Sequence, residues 1–286
     1  MRILVTGANK GIGLAIARGV LAHGEDTTLL LGSRDAGRGA AAKATLAGEQ
    51  PGWDARIEVV PLGVTDEGSV AAALAQIRGG GLDVLVHNAG IAHGSMREIL
   101  DVNLFGLRRV TEALLPLLAA SAGGRIVNVT SASGPNFVAD CRADRQRELT
   151  DAAVTWTEIE RLADECLALE ASGGDFEAAG FGGGSAYGLS KATANAYTLV
   201  LAREHPGLRA NACTPGFIET DLTRPWAVQR GVSPAAMGMK TPDQGARAPL
   251  KLAFDALEGN GRYYGSDGLR SPLDRYRAPG DPAFEG

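Results

Sequence analysis

Cysteine is scarce in this sequence of 286 residues. Cys141, Cys166 and Cys213 lie far apart in the chain, and their number is odd. Small secreted domains that depend on disulfides carry many cysteines, and thiol metal sites usually contain C-x-x-C pairs. Neither pattern is present here. We therefore expect three free thiols, no disulfide framework and no metal site.

Long apolar runs and an excess of basic residues are also missing. No stretch approaches the roughly 20 apolar residues that a membrane-spanning helix needs. The amino terminus has no basic segment followed by an apolar run and a cleavage site. We therefore expect a cytoplasmic protein without a membrane anchor. The formal net charge of −5 argues against a nucleic-acid binder, because such proteins usually carry a basic excess.

Glycine, in contrast, is abundant, with 39 residues in the chain. Strand-like apolar runs alternate with helical patterns along most of the sequence. The strand runs lack internal polar alternation, which is typical of strands buried on both faces. Repeated alternation of strand and helix predicts parallel strands joined by crossover helices. We expect an α/β fold: a single Rossmann-type, doubly wound parallel sheet of about seven strands, with helices on both faces.

The elements that carry this prediction can be placed along the chain. The predicted strands cover 3–5, 28–31, 57–60, 84–86, 125–129, 208–213 and 262–264, and the predicted helices include 13–23, 36–46, 96–118, 186–203 and 243–257. Thr65 and Asp66 can cap a further helix. The economical domain interpretation is one domain over residues 1–268, followed by a tail over 269–286 that is rich in proline, glycine and charge and is expected to be loose.

The regular alternation is interrupted between residues 136 and 184. This insertion is polar and charged, but Ile159, Leu162, Cys166 and Leu169 recur at helical spacing within it. Thr157 and Glu160 fit a capping box at the start of that helix. The insertion is too short to be a domain. We expect it to form a helical element inserted before the helix over 186–203.

A glycine-rich turn lies directly between the first strand and the first helix. Its sequence is Thr6-Gly7-Ala8-Asn9-Lys10-Gly11-Ile12-Gly13. Gly7 permits a sharp turn, Gly11 leaves room for a diphosphate, and Gly13 allows close packing of helix and strand. A helix amino terminus also offers free N–H groups and partial positive charge to phosphates. The turn therefore predicts a dinucleotide site, and the absence of a following Gly-Lys-Ser/Thr excludes a P-loop.

Basic residues near this turn favour NADPH over NADH. In sites that prefer NAD, an acidic residue after the second strand bonds the ribose 2′-hydroxyl. Here Arg34 occupies that region, with Arg38 one helical turn further on and Lys10 in the glycine turn. Guanidinium groups suit a 2′-phosphate by charge and by paired hydrogen bonds. Asp35 keeps the alternative open, because an inward carboxylate could bind a 2′-hydroxyl instead.

Five further motifs follow the glycine turn in a fixed order: Asn88-Ala89-Gly90, Asn103, Ser131, Tyr187-x-x-x-Lys191 and Pro215-Gly216. Together with the turn they resemble the short-chain dehydrogenase/reductase family, and the resemblance covers residues 1–268. Asn9, Lys10, the two arginines and the long insertion are similar to its monomeric carbonyl reductase branch. In that branch the insertion obstructs the surface through which other members form tetramers, so we expect a monomer.

The resemblance implies a catalytic set of Asn103, Ser131, Tyr187 and Lys191. Tyr187 and Lys191 are four residues apart on a helix and so share one face. Tyr187 would act as the proton donor, with its pKa lowered by the Lys191 ammonium. Ser131 would bind the substrate carbonyl oxygen, and Asn103 would hold a water that joins Lys191 to solvent. The implied cofactor contacts come from Gly7, Asn9, Lys10, Gly11, Ile12, Gly13, Arg34, Arg38, Gly63, Val64, Asn88, Gly90, Tyr187, Lys191, Pro215, Gly216, Ile218 and Thr220.

The sequence departs from the family pattern at three positions. Gly63 stands where an Asp usually contacts the adenine, so only backbone contacts from Gly63 and Val64 are expected. His87 replaces the first Asn of Asn-Asn-Ala-Gly and is interpreted as a packed or hydrogen-bonded residue. Thr214 stands where some carbonyl reductases have a second cysteine, which argues against a thiol effect there.

The expected activity is NADPH-dependent reduction of an apolar ketone, aldehyde or quinone, reversible as alcohol oxidation. The substrate site is expected from three segments: the loop after Gly90, the insertion, and residues 217–241, where Trp226 lies. The alternative is a non-catalytic NADPH-binding sensor or scaffold, which would bind cofactor without turnover. A serine hydrolase is excluded, because no serine is centred in G-x-S-x-G.

Overall fold

A central β-sheet organises the molecule, for which a computed structural model describes residues 1–257 and 259–286. The strands are β1 (Arg2–Val5), β2 (Thr28–Ser33), β3 (Ile57–Pro61), β4 (Val84–His87), β5 (Arg125–Val129), β6 (Arg209–Cys213), β7 (Tyr263–Tyr264) and β8 (Arg270–Ser271). They lie in the order β3-β2-β1-β4-β5-β6-β7-β8. The first seven are parallel, and β8 pairs antiparallel with β7. The predicted fold class is confirmed, with one strand more than expected.

Helices cover both faces of the sheet. They are α1 (Gly11–His23), α2 (Ala36–Glu49), α3 (Glu67–Ile77), α4 (Met96–Leu100), α5 (Gly106–Ala119), α6 (Ser133–Asp140), α7 (Ala143–Thr150), α8 (Trp156–Ser172), α9 (Ala186–Glu204), α10 (Arg224–Gln229) and α11 (Pro242–Phe254), with a short 3₁₀ turn at Asp54–Arg56. None of the helices in the described part of the chain is long and apolar enough to cross a membrane.

Alternate side chains of each strand enter opposite halves of the core. Leu4 and Leu30 pack into one apolar cluster, whereas Ile3 and Leu29 pack into the other, and all four are fully buried. Successive residues of a strand point to opposite faces, so a strand covered on both sides must be apolar throughout. This explains why the strand runs of the sequence show no polar alternation.

The strand order reverses between β1 and β4. Strands β2 and β3 extend to one side of this point, and β5 to β8 extend to the other. Ligands of open α/β sheets bind at the carboxyl ends of the strands where the order reverses. The glycine turn after β1 and Asn88 after β4 both lie at this edge.

The long helix predicted over 96–118 is one continuous rod with a local irregularity. A π-helical turn over Asp101–Phe105 joins α4 to α5, and the Gly106 N–H donates to the Asp101 carbonyl. Such single π turns are frequent at functional sites. Asn103 lies in this turn, so the irregularity bears directly on a predicted site residue.

The insertion holds more helix than predicted. Besides α8 it contains α7 and most of α6. The apolar spacing of α8 is confirmed, because Ile159, Leu162 and Cys166 are fully buried. Its capping box is formed by Thr155 and Glu158, not by Thr157 and Glu160 as predicted.

The shift of the cap has a physical reason in the first residue of the helix. Starting two residues earlier brings Trp156 into α8, where its ring meets Tyr197 edge-on at 5.5 Å and Phe105 at 6.0 Å. The Arg108 guanidinium lies 4.1 Å from the centre of the same ring. Both candidate caps match the sequence pattern equally well, and this packing of Trp156 separates them.

The expectation of a loose tail is wrong for residues 270–277, whereas residues 279–283 are exposed and form no helix or strand. Arg270–Ser271 forms the edge strand β8, and the Arg277 guanidinium is buried against the Asp267 carboxylate. Residues rich in proline, glycine and charge lack apolar periodicity, so the sequence pattern does not predict their packing. Here the ion pair between the buried Arg277 and the partly exposed Asp267 holds this part of the segment in place. All three cysteines are buried free thiols.

Candidate active site

Two adjoining cavities open at the carboxyl edge of the sheet. The outer cleft has a volume of about 890 Å³ and is lined by the glycine turn, Arg34 and Arg38. The inner pocket has a volume of about 340 Å³ and is lined by Ser131, Tyr187 and Lys191. The residues that line both cavities are Ile12, Asn88, Gly90, Thr220 and Leu222. The two predicted sites therefore adjoin each other along these shared residues.

The glycine turn leaves no room for a side chain at Gly13. A Cβ atom on Gly13 would lie 2.2 Å from the Gly7 carbonyl oxygen and 2.4 Å from the Asn88 amide nitrogen. Gly7 and Gly11 adopt φ angles of 63° and 55°, in the left-handed region that favours glycine. The turn thus brings the backbone of β1, the start of α1 and the end of β4 into direct contact.

Asn88 holds this contact together. Its side-chain amide donates to the carbonyl oxygens of Thr6 and Gly7 at 3.1 and 3.2 Å. In return, the Thr6 hydroxyl oxygen accepts hydrogen bonds from the backbone N–H groups of Asn88 and Ala89, both at 3.0 Å. These bonds fix the glycine turn against the start of the loop after β4.

The amino terminus of α1 differs from those of several neighbouring helices. Within the described residues, no side chain caps it, although Asp35, Asp66 and Thr241 cap α2, α3 and α11. The first N–H groups of a helix need acceptors and carry partial positive charge. Because the glycine turn lines the outer cleft, these N–H groups are available to an anionic ligand there.

Charged side chains surround the far end of the outer cleft. Arg34 and Arg38 are exposed and line it. The Asp35 carboxylate accepts a hydrogen bond from the Arg38 backbone N–H at 2.7 Å, which caps α2. Lys10 does not join the two arginines, because its ammonium pairs with the Asp221 carboxylate at 2.7 Å. All three predicted cations therefore line the cleft, and among the described residues Arg34 and Arg38 do so without an ion pair.

Gly63 and Val64 are placed differently from each other. Val64 lines the outer cleft, and its carbonyl oxygen accepts a hydrogen bond from Arg109 at 2.8 Å. Gly63 is not among the residues that line the cleft, and its N–H donates to the Ser69 hydroxyl at 2.8 Å. A backbone contact from Gly63 to a ligand would have to replace that bond, so Val64 is the better-placed of the pair.

Tyr187 and Lys191 lie on successive turns of α9, with the Lys191 nitrogen 5.5 Å from the centre of the Tyr187 ring. The Lys191 ammonium donates to the Val129 carbonyl oxygen at 3.4 Å, which links α9 to the end of β5. Ser131 follows the same strand, and its hydroxyl oxygen accepts from the Ser133 N–H at 3.1 Å. All three side chains line the inner pocket.

The pKa of Tyr187 does not follow the sequence-based expectation. Burial raises the pKa of its phenol above the ordinary value, and the hydrogen bond with Ser131 lowers it by less. We expected the Lys191 ammonium to lower the pKa of Tyr187, but in this structure burial outweighs the other effects. A raised pKa keeps the phenol protonated at neutral pH, which is the form that a proton donor needs.

Lys191 is buried, with only 6% of its surface exposed. This burial lowers the pKa of its ammonium from 10.5 to about 8. Loss of hydration disfavours the charged form of a lysine, which explains the direction. Ionisable groups whose pKa is strongly shifted inside a cavity are frequent at functional sites.

Asn103 is an anchor point for the surroundings of Lys191. Its side-chain amide donates to the Ile91 carbonyl at 2.8 Å and to the Ser190 hydroxyl at 3.0 Å, and its oxygen accepts from the Ile91 N–H at 2.9 Å. A Cβ on Gly90 would lie 3.1 Å from the Asn103 side-chain oxygen and 3.4 Å from the Lys191 nitrogen. Asn103 thus ties the loop after β4 to α9 beside Lys191.

The remaining predicted residues divide between the two cavities. Pro215, Gly216 and Ile218 line the inner pocket, and Asn9, Lys10 and Gly11 line the outer cleft. His87 is buried and its ring nitrogen lies 2.7 Å from the Thr111 hydroxyl oxygen, with its pKa lowered by burial to about 3. A neutral, packed histidine at this position agrees with the prediction.

The wall of the inner pocket differs from the sequence-based expectation. Of the insertion, Asn136 lines the pocket, and α7 and α8 contribute no lining residue among those described. Trp226 lines it as expected. Tyr276 and Arg277 also line it, although they lie in the segment expected to be a loose tail. No sequence motif marks those two positions.

Comparisons with known proteins agree with this geometry. The family model described as short chain dehydrogenase matches residues 1–141. The chain is 31% identical over 287 residues to (+)-neomenthol dehydrogenase of Arabidopsis thaliana, covering 88% of this chain and 90% of that protein. It is 34% identical over 270 residues to carbonyl reductase (NADPH) 1 of Homo sapiens, with the same coverage of 88% and 90%.

A solved structure extends the likeness to three dimensions. Salutaridine reductase from Papaver somniferum superposes with a TM-score of 0.79 at 28% identity, covering 92% of this chain and 99% of that one. The fold, the order of the site residues and these relatives together define an oxidoreductase that acts on carbonyl or alcohol groups. The chain belongs to the short-chain dehydrogenase/reductase family, in its carbonyl reductase branch.

Proposed function

We propose that the protein reduces a ketone, aldehyde or quinone with NADPH and that Tyr187 is the general acid. The observation that carries the proposal is that the two cavities adjoin and share five lining residues. The outer cleft contains a cradle for a dinucleotide, and the adjoining inner pocket contains Ser131, Tyr187 and Lys191. A dinucleotide held in the outer cleft would therefore extend towards the inner pocket. That pocket contains the acid–base groups of α9, Tyr187 and Lys191.

The outer cleft fits NADPH by several independent features. The glycine turn and the uncapped start of α1 provide close backbone approach and N–H donors for a diphosphate. Arg34 and Arg38 offer two guanidinium groups to a 2′-phosphate. Asp35 is already engaged as a helix cap, which weakens the alternative in which it binds a 2′-hydroxyl. These features support NADPH rather than NADH.

The residues of the inner pocket have distinct roles in the proposed reaction. NADPH, when bound, supplies the hydride that adds to the carbonyl carbon. The Ser131 hydroxyl holds the carbonyl oxygen next to Tyr187, and the protonated phenol of Tyr187 donates its proton to that oxygen as negative charge develops. Lys191, positioned by Val129 and by the neighbouring Asn103 network, then stabilises the phenolate that remains.

A substrate panel tests the proposal directly. Oxidation of NADPH is followed by its absorbance with ketones, aldehydes and quinones, and each assay is repeated with NADH. Turnover with at least one carbonyl and a preference for NADPH are the expected results. Cofactor binding without turnover of any carbonyl would instead support the sensor or scaffold alternative.

We also propose that the protein is a monomer of one domain. Helix α8 of the insertion lies against α4 and α9. Its Trp156 ring contacts Phe105 in the π-helical turn and Tyr197 in α9. This arrangement supports the expectation that the insertion covers a face used for assembly elsewhere in the family. The cytoplasmic location stays a prediction from the sequence.

A further inference from the structure

The segment 266–279 lines the inner pocket with residues from both of its ends. Tyr276, Arg277 and Pro279 line that pocket together with Tyr187. The segment begins at Ser266, whose Cβ would lie 3.1 Å from a Cβ placed on Gly216. Its first residue therefore contacts the wall of the site, and its last residues return to the same cavity.

A buried arginine fixes the returning part of this segment. The Arg277 guanidinium donates to the Ser271 hydroxyl at 2.9 Å, to the carbonyl oxygens of Ala278 and Asp281 at 3.2 and 2.7 Å, and to the Asp267 carboxylate. Its side chain is 6% exposed and that of Asp267 is 20% exposed. A charged pair of this kind, hydrogen-bonded on several sides, holds its surroundings in one geometry.

The surroundings of Arg277 are shaped to receive it. A Cβ on Gly265 would lie 2.6 Å from a terminal nitrogen of Arg277, so a side chain at 265 would displace the guanidinium. Asp267 also accepts hydrogen bonds from the N–H groups of Leu269 and Gly280, at 3.1 and 3.2 Å. Arg275, two residues away, offers a contrast, because its side chain is 59% exposed and pairs with the adjacent Asp274.

Aromatic side chains are enriched among the residues that line this pocket. Aromatic residues make up only 5% of the chain. Four of them, Tyr187, Phe217, Trp226 and Tyr276, nevertheless line the inner pocket. The ring centres of Phe217 and Trp226 lie 6.0 Å apart in a stacked arrangement. The residues Trp226 and Tyr276 are 38% and 51% exposed. Exposed aromatic surface in the wall of a cavity favours an apolar ring as the occupant.

We propose that the segment 266–279 is the outer wall of the substrate pocket. In this proposal Tyr276 is a specificity-determining residue that selects carbonyl compounds with a bulky apolar ring. Arg277 is a positioning residue that acts through Tyr276, because its bonds to Asp267 and Ser271 hold the segment at the pocket. The inference rests on the proposed function, since it concerns the substrate of the same site.

Kinetics with two probes of different size test the role of Tyr276. The probes are 2-tetralone, a two-ring ketone, and 2,3-butanedione, a small open-chain diketone. Tyr276→Ala should lower kcat/KM for 2-tetralone by about tenfold, since lost contact with an apolar group typically costs 10-fold or more in discrimination. The value for 2,3-butanedione and the KM for NADPH should change by less than about twofold.

Three outcomes contradict the proposal about the wall. Equal effects of Tyr276→Ala on both probes would show that Tyr276 does not select by size. A wild-type enzyme that reduces 2,3-butanedione but not 2-tetralone would show that the pocket does not favour a ring. A wild-type enzyme inactive with these probes and with the whole carbonyl panel would refute the proposed function itself, and the wall with it.

Variants of the anchor test the role of Arg277. Arg277→Ala should change the ratio of the two kcat/KM values as Tyr276→Ala does. Arg277→Lys should restore part of the wild-type ratio, and Arg275→Ala should leave the wild-type ratio unchanged. Asp267→Asn should speed chymotrypsin cleavage after Tyr276, as read by mass spectrometry of the intact chain. An equal loss with both probes, or cleavage as slow as in the wild type, would overturn the positioning role.

Discussion

Replacing Lys191 with Met should stabilise the cofactor-free protein at neutral pH while removing its activity. Lys191 is 6% exposed, and its burial lowers the pKa of the ammonium from 10.5 to about 8. A pKa difference between folded and unfolded states is itself a free energy, so holding the charged form inside costs about 3 kcal/mol at pH 7. Met has a similar length and no charge to bury. The gain should reach roughly 1–3 kcal/mol, because the lost hydrogen bond to Val129 offsets part of it.

The sign of this effect fixes its pH dependence. The folded pKa of Lys191 lies below the unfolded pKa, so between about pH 8 and pH 10.5 the unfolded chain binds a proton that the folded chain has released. The stability of the wild type therefore rises with pH through this window. The advantage of Lys191→Met should be complete below about pH 8 and should vanish near pH 10.5.

Urea unfolding followed by circular dichroism measures both effects. The free energy of unfolding is compared for wild type and Lys191→Met at about pH 7 and about pH 10. Other titrating groups are common to both proteins, so the change with pH in the difference between their free energies reports Lys191 alone. Lys240→Met serves as the matched control, because Lys240 is exposed and should show little change at either pH. A Lys191→Met variant that is no more stable at pH 7, or whose advantage does not shrink at high pH, would refute the reasoning.

Three further predictions address cofactor choice, the glycine turn and assembly. Arg34→Ala combined with Arg38→Ala should raise the KM for NADPH by about 100-fold, because two charge-assisted contacts to a phosphate are lost, and should raise the KM for NADH by less than about twofold. An equal rise for both cofactors would contradict the assignment of these arginines to the 2′-phosphate. Gly13→Ala should weaken NADPH binding, measured by fluorescence titration, by about tenfold or more, because its Cβ overlaps the Gly7 carbonyl, whereas Gly48→Ala has open space and should bind normally. Size-exclusion chromatography with light scattering should give one species of 29.5 kDa, and a tetramer would disprove the monomer.

The sheet and the order of the site residues could be predicted because they rest on local signals. A strand buried on both faces must be apolar throughout, as residues 3–5 are, and such runs are visible without a structure. The glycine turn is recognisable because its conformation admits few residue types. Tyr187 and Lys191 are neighbours through helix geometry alone, and the structure places them on one face of α9.

Other features depend on contacts between distant residues and carry no local signal. Arg277 and Asp267 look like ordinary surface charges in the sequence, and only the burial of Arg277 and its pairing with Asp267 show that this part of the tail is fixed. The two possible capping boxes of α8 are equivalent until Trp156 is packed against Tyr197. The pKa of Tyr187 depends on the balance between burial, which raises it, and the hydrogen bond with Ser131, which lowers it. A sequence motif does not show this balance.

The measurement that tests the central claim most directly compares Tyr187→Phe with the wild type. The substitution removes only the phenolic hydroxyl, the group proposed to donate the proton, and leaves the ring within the inner pocket. Turnover with the best carbonyl of the panel should fall by about 1,000-fold or more, while NADPH affinity in a fluorescence titration should change by less than about threefold. Turnover within about tenfold of the wild type would contradict the assignment of Tyr187 as the general acid.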